Sequence, residues 1–130
     1  METATYSVAL VERQDGFEVD GAALVHAVVA DVLAGVTPAV IAARFHNGVA
    51  AMILCGCQAM RERSGLTMVA LSGGVFQNML LLGRAVDLLE ADGFRVLRHR
   101  QVPPNDGGIS LGQAVVASHL NRFAVPVGSS

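Results

Sequence analysis

Two glycine-rich stretches hold the residue types whose spacing could do chemistry. In Ser72-Gly73-Gly74-Val75-Phe76-Gln77-Asn78 an apolar run meets a glycine pair and leads, without a loop, into a helical pattern. Adjacent glycines remove the Cβ atoms from a turn, so a flat or charged ligand, or another backbone, can approach the main chain closely. The helix beyond would start with unpaired N–H groups and a partial positive charge, which suits a phosphate or a ribose oxygen. The same junction also packs a helix tightly onto its strand without any ligand, and the residues alone leave both readings open. The second stretch is Val102-Pro103-Pro104-Asn105-Asp106-Gly107-Gly108-Ile109-Ser110-Leu111-Gly112-Gln113. Its prolines give an extended lead-in, Asn105 or Asp106 can cap the final helix, and its glycines would let that helix approach closely. Asp106 is accounted for as a cap. Alternatively it is a ligand for a hard or borderline cation, in a cleft shared with Gly73 and Gly74 at one end of parallel strands.

The remaining reactive residue types offer less. All nine basic residues are arginines, and the formal net charge is −2. Without lysine there is no P-loop lysine and no Schiff-base lysine, so a phosphate would be held by backbone amides, arginine or a metal. Arg95, Arg98 and Arg100 crowd one segment. Lacking interleaved aromatics, they read as a solvated edge rather than a nucleic-acid footprint. Cys55 and Cys57 lie two apart on a helical pattern, about 200° around the axis, which suits free thiols and not a shared metal or a disulfide. His26 has no second ligand at helical spacing, and His46 on a long helix reads as a packed histidine.

These residues need elements to position them. Residues 6–11 and 17–19 flank Gln14-Asp15-Gly16, which predicts a short hairpin. A helix follows from an Asp20 cap to Gly35, with Leu24, Val25, Val28, Val29, Val32 and Leu33 in helical register. Thr37 and Pro38 open a second helix of about 26 residues, closed by Ser64-Gly65, with Ile41, Phe45, Val49, Met52, Gly56, Ala59 and Arg63 on one seam. Gly48 and Gly56, eight residues apart, predict a groove where a neighbouring helix crosses. Thr67 to Leu71 form a strand whose unbroken apolar character fits a buried, parallel position. A helix from Val75 to about Asp92 turns Met79, Leu82, Val86 and Leu89 inward, and Phe94 to Leu97 form a second strand. Residues 67–97 thus make one right-handed β-α-β unit.

Composition bounds the whole. The chain has 130 residues, 52% of them hydrophobic, enough for one domain or part of one. A mean hydropathy of +0.49 is high and predicts an apolar face covered by something else. No unbroken apolar run nears the roughly 18 residues of a membrane span, and the first twenty residues lack a signal-peptide pattern. The expectation is a cytoplasmic chain with no membrane partner. The tail from Asn121 to Ser130 reads as flexible.

The two glycine stretches, together with Ala43-Arg44-Phe45-His46-Asn47, resemble the C-terminal end of the HypF family, the carbamoyltransferases of NiFe-hydrogenase maturation. The resemblance runs from about residue 6 to residue 120. It implies an α/β fold, half of an actin-like (ASKHA) nucleotide-binding domain, with a small parallel sheet packed by helices, over residues 1–120. In that family carbamoyl phosphate and ATP give carbamoyl-adenylate, and the carbamoyl group passes to the C-terminal cysteine of HypE on the way to the iron-bound cyanide. By position, the resemblance implies that Gly73 and Gly74 lie against ATP or carbamoyl-adenylate, that Asn78 contacts its ribose or phosphates, and that Asp106 completes a divalent iron or zinc site. The family's other metal ligands form a His-x-x-x-His pair in the preceding lobe. None of His26, His46, His99 and His119 has that spacing, so most ligands are expected outside this chain, as are the acylphosphatase-like, zinc-finger and YrdC-like regions. The implied partners are a HypE-like acceptor and the preceding lobe and domains, or a second copy through the apolar face. The chain alone is expected to be inactive. Two other readings stand beside this one. One is a related transferase of the same fold, a small-molecule O-carbamoyltransferase or a tRNA threonylcarbamoyl transferase, the latter disfavoured by Gly107-Gly108-Ile109 after Asp106 and by the missing basic patch. The other is a non-catalytic assembly module.

Overall fold

The computed structural model describes residues 2–101 and 104–122, the side chains of 121 and 122 excepted. A hairpin comes first, β1 (Ala9–Arg13) antiparallel to β2 (Gly16–Asp20), with Arg13 opposite Gly16. The Asp-Gly signal located it, yet Gly16 is already the first residue of β2 and the loop is Gln14-Asp15. Gly16 is not among the positive-φ glycines, so its conformational freedom is not what makes this turn.

Helix α1 (Ala22–Leu33) follows, with Gly21 at the cap position and the Asp20 carboxylate accepting from Ala22 N–H at 2.9 Å. Gly35, at φ 75°, stops it. Helix α2 (Pro38–Ser64) has 27 residues, with proline in its first turn and Gly65 left-handed at its end, at φ 73°. It is the spine on which α3, α1 and the hairpin pack. A Cβ on Gly48 would come within 2.8 Å of Leu24 Cδ1, so a helix does cross there. At Gly56 the neighbour is Phe17 of the hairpin, at 3.8 Å, not a helix. The expected apolar seam is also offset. Ile53, Leu54 and Cys57 face the main core, whereas Phe45 is 40% exposed.

Strands β3 (Met68–Leu71) and β4 (Arg95–Arg98) pair in parallel, Met68 opposite Arg95 and Leu71 opposite Arg98. Helix α3 (Met79–Ala91) joins them and covers one face. The core is Leu71, Leu82, Ala85, Val86, Leu89 and Phe94. Two expectations fail here. Among the described residues this sheet has only two strands, so β3 is an edge and Met68 is 52% exposed. Met79, expected inside, is 71% exposed because α3 starts later than its apolar pattern suggested. Arg61 of α2 locks the end of α3, bonding the Asp92 carboxylate at 2.7 Å and its carbonyl at 2.8 Å while lying over the Phe94 ring.

The last helix, α4 (Ile109–Arg122), extends into the stretch expected to be flexible tail; residues 123–130 lie outside those described. Its described residues are all exposed, and a Cβ on Gly112 would meet nothing within 4 Å. At Gly112 the close approach expected of this helix is therefore not made to any described residue. By length and composition α2 is apolar enough to cross a membrane, with a mean hydropathy of 1.5 over its best window. No unbroken run of that length occurs in it, as the sequence indicates: polar residues such as Asn47 and Gln58 interrupt each run while leaving the average high.

Candidate nucleotide and metal site

The two glycine stretches meet at the carboxyl end of the parallel sheet. As β3 ends, Ser72 leads into Gly73, which adopts φ 107° and ψ 158°, a backbone that disfavours any side chain. Gly73 N–H donates to the Pro104 carbonyl at 2.7 Å, two residues before Asp106. As β4 ends, His99 Nε2 lies 2.9 Å from Ser72 Oγ, a second tie between the same strand ends. A Cβ on Gly74 would meet nothing within 4 Å, and its φ is not positive. Gly73 is thus needed for the turn, whereas Gly74 keeps open space beside it. A cavity of about 390 Å³ opens here between Leu71, Phe76, Gln77, Arg98, His99 and Pro104.

The helix does not follow the glycines directly, as the sequence suggested. A 3₁₀ turn, Gly74–Gln77, intervenes, and Asn78 is the N-cap of α3, its Oδ1 accepting from Leu80 N–H at 3.1 Å and Leu81 N–H at 3.2 Å. A 3₁₀ turn holds its amides in a tighter, less aligned array than an α-helical start, so the phosphate-facing dipole argued from the sequence sits four residues later. Asn78 Nδ2 donates to His46 Nε2 at 2.8 Å, and His46 Nδ1 is 2.7 Å from the Ala42 carbonyl. Asn78 is otherwise exposed.

Around the second stretch the cap is Asn105, whose Oδ1 accepts from Gly107 N–H at 3.0 Å. Asp106 follows it, exposed, its carboxylate in no hydrogen bond or ion pair among the described residues. Capping thus does not explain Asp106. A hard cation would find one anionic oxygen there, but among the described residues no three His, Cys, Asp or Glu side chains form a metal-binding group. The donor set fits a divalent ion only if further ligands come from elsewhere.

Other polar groups fix the scaffold. Asp31 accepts from the Tyr6 hydroxyl at 2.7 Å and from Arg44 at 2.8 Å. The Tyr6 hydrogen bond, then Arg44, holds the Asp31 carboxyl below its ordinary value. Burial, then that bond to Asp31, raises Tyr6. Asn47 Nδ2 reaches the Glu2 and Ala4 carbonyls at 3.2 and 2.9 Å, so residues 43–47 anchor the N-terminal segment and α1 to α2. Cys55 and Cys57 are free, and burial pushes the Cys57 thiol up, away from nucleophilic chemistry.

The sequence reading missed Arg98 and His99 as residues bordering the cavity, and Ser72 as the hydroxyl that His99 meets beside it. Their signal was positional: each stands at or just beyond the carboxyl end of a parallel strand, where open α/β sheets bind ligands. In sequence Arg98 is indistinguishable from the solvated edge formed with Arg95 and Arg100.

A two-stranded parallel unit carrying glycine turns at its carboxyl end, backed by one long helix, has the architecture of an α/β subdomain. Residues 1–113 match the family model described as carbamoyltransferase, Kae1-like domain, second subdomain, and the chain belongs to that family. It is 33% identical over 118 residues to the carbamoyltransferase HypF of Synechocystis, covering 91% of this chain and 15% of that one. To carbamoyltransferase HypF2 of Cupriavidus necator it is 42% identical over 76 residues, 58% of this chain and 9% of the relative. A crystal structure of full-length HypF in its phosphate- and nucleotide-bound form superposes with a TM-score of 0.85 at 34% identity, over 97% of this chain and 16% of that one. The chain therefore spans a small fraction of each relative. The expected fold, half of an actin-like domain with a small parallel sheet packed by helices, is borne out in this Kae1-like subdomain.

Proposed function

We propose that this chain is the nucleotide-holding C-terminal lobe of a HypF-type carbamoyltransferase. One observation carries the reading: two hydrogen bonds, Gly73 N–H to Pro104 O and Asn78 Nδ2 to His46 Nε2, join all three motifs around one strand end. The backbone beside Gly74 would accept ATP or carbamoyl-adenylate. Arg98 in the cavity wall supplies the positive charge that the missing lysine cannot. Asn78 has its oxygen committed to α3, so it would contact ribose or phosphate as a donor only, through its second Nδ2 hydrogen. Asp106 would give one oxygen to a divalent iron or zinc ion whose other ligands lie outside this chain. When bound, such an ion neutralises phosphate charge. Carbamoyl transfer to a HypE-like acceptor would belong to the longer protein, in the cytoplasm, with the adenylate-forming chemistry supplied by its other domains.

Calorimetric titration of ATP, with and without divalent metal, tests the reading on the purified chain and on Gly74→Val and Asp106→Ala. Because a Cβ at Gly74 would meet nothing within 4 Å, Gly74→Val should leave unfolding nearly unchanged and abolish ATP binding. Asp106→Ala should keep metal-free binding and lose only the metal enhancement. No saturable binding by the folded chain would overturn the claim that this lobe holds nucleotide by itself.

A further inference from the structure

His46 was left without a role by the sequence, and its hydrogen bonds supply one. Two backbone N–H groups, from Leu80 and Leu81, can only donate, so the Asn78 side-chain atom facing them must be the carbonyl oxygen. That fixes the amide orientation and makes the atom 2.8 Å from His46 Nε2 the NH₂ group, a donor. Nε2 must then be an unprotonated acceptor. Independently, Nδ1 faces the Ala42 carbonyl at 2.7 Å, an acceptor, so Nδ1 carries the proton. Both contacts demand the same neutral Nδ1–H tautomer, and each end is held by a helix: Ala42 lies one turn back on α2, and Leu80 and Leu81 lie in the first turn of α3.

We infer that His46 is a positioning residue for the nucleotide site. It clamps the Asn78 amide against α3, fixing where the 3₁₀ turn after the glycine pair ends, and leaves the second Nδ2 hydrogen as the one uncommitted polar hydrogen of Asn78. That hydrogen is then presented to a ligand oxygen in one orientation. This inference rests on the proposed nucleotide reading for its ligand, but the clamp itself does not.

Histidine ¹⁵N spectra and ATP titration of the 130-residue chain, with His46→Gln and His46→Phe, separate the two. Glutamine keeps an acceptor for Asn78; phenylalanine keeps the ring and removes it. The wild-type spectrum should show His46 as the Nδ1–H tautomer, and Asn78→Ala should release it to the mixture of a free imidazole. ATP affinity should fall roughly tenfold in His46→Phe and stay within about threefold of wild type in His46→Gln, with equal unfolding midpoints. An Nε2–H tautomer in the wild type would overturn the clamp. With wild-type ATP binding intact, undiminished affinity in His46→Phe would overturn its role in the site. If the wild-type chain binds no ATP, the nucleotide reading of the isolated lobe fails, and the tautomer measurement alone decides whether His46 holds Asn78.

Discussion

At the scale of single residues, the two adjacent glycines have different reasons to be glycine. Gly73 sits at φ 107° and donates to Pro104. An alanine there would be forced into a region that L-residues avoid, and Gly73→Ala should cost about 1–2 kcal/mol in urea unfolding. Gly74 has neither positive φ nor a neighbour for a Cβ, so Gly74→Ala should change stability by no more than about 0.5 kcal/mol. Equal losses in the two variants would remove the distinction between turn-forming and space-keeping glycine. The sequence announced the pair but could not divide these roles, because φ is set by the path to Pro104, some thirty residues on. The same limit explains the caps. Asn78, Asn105 and Asp106 are all plausible cap types, and only the backbone decides that both asparagines cap while the aspartate is left exposed.

At the scale of elements, α2 decides what the rest can do. Its two spaced glycines were legible as close-packing positions, yet their partners were not, since one meets a helix and the other a hairpin. The geometry separates them energetically. A valine at Gly48 would drive its Cβ within 2.8 Å of Leu24 Cδ1 and 3.5 Å of Tyr6, at the contact that seats α1. Gly48→Val should therefore destabilise by about 1–3 kcal/mol, the range for overpacking. At Gly56 the Phe17 ring stands at an ordinary 3.8 Å. Gly56→Ala adds helix propensity without a clash and should stabilise by about 0.5–1 kcal/mol. Thermal unfolding of both checks the pair, and a loss of stability at Gly56 would mean the hairpin packs more tightly than this contact implies. Periodicity identified α1, α2, α3 and the parallel strands because each has one apolar face or run. It failed on the 3₁₀ turn after Gly73, where no periodicity exists, and on the burial of β3, which pairs on one side only among the described residues.

At the scale of the molecule, apolar surface is left over. Helix α1 exposes Val25, Val29, Val32 and Leu33 at 50–83%, and α4 exposes Ile109, Leu111, Val115, Val116 and Leu120 at 51–65%. The high mean hydropathy foretold this excess, although its location needed the structure, because both helices look like ordinary amphipathic elements in sequence. Apolar faces of this size are usually covered in a stable protein. With these faces uncovered the chain is expected to self-associate. Light scattering after size exclusion should report dimers or larger species that bind a hydrophobic dye. Val32 is 58% exposed and Val116 is 59% exposed, so charging either removes apolar surface without disturbing the core. Val32→Lys and Val116→Lys should each change stability by less than about 0.5 kcal/mol, and the one lying on the self-association face should shift the chain toward monomer. A wild-type chain that stays monomeric and binds no dye would instead mean that these helices fold back on one another in solution. The face left for a partner would then be the free edge of β3, where Met68 stands half exposed beside the hairpin.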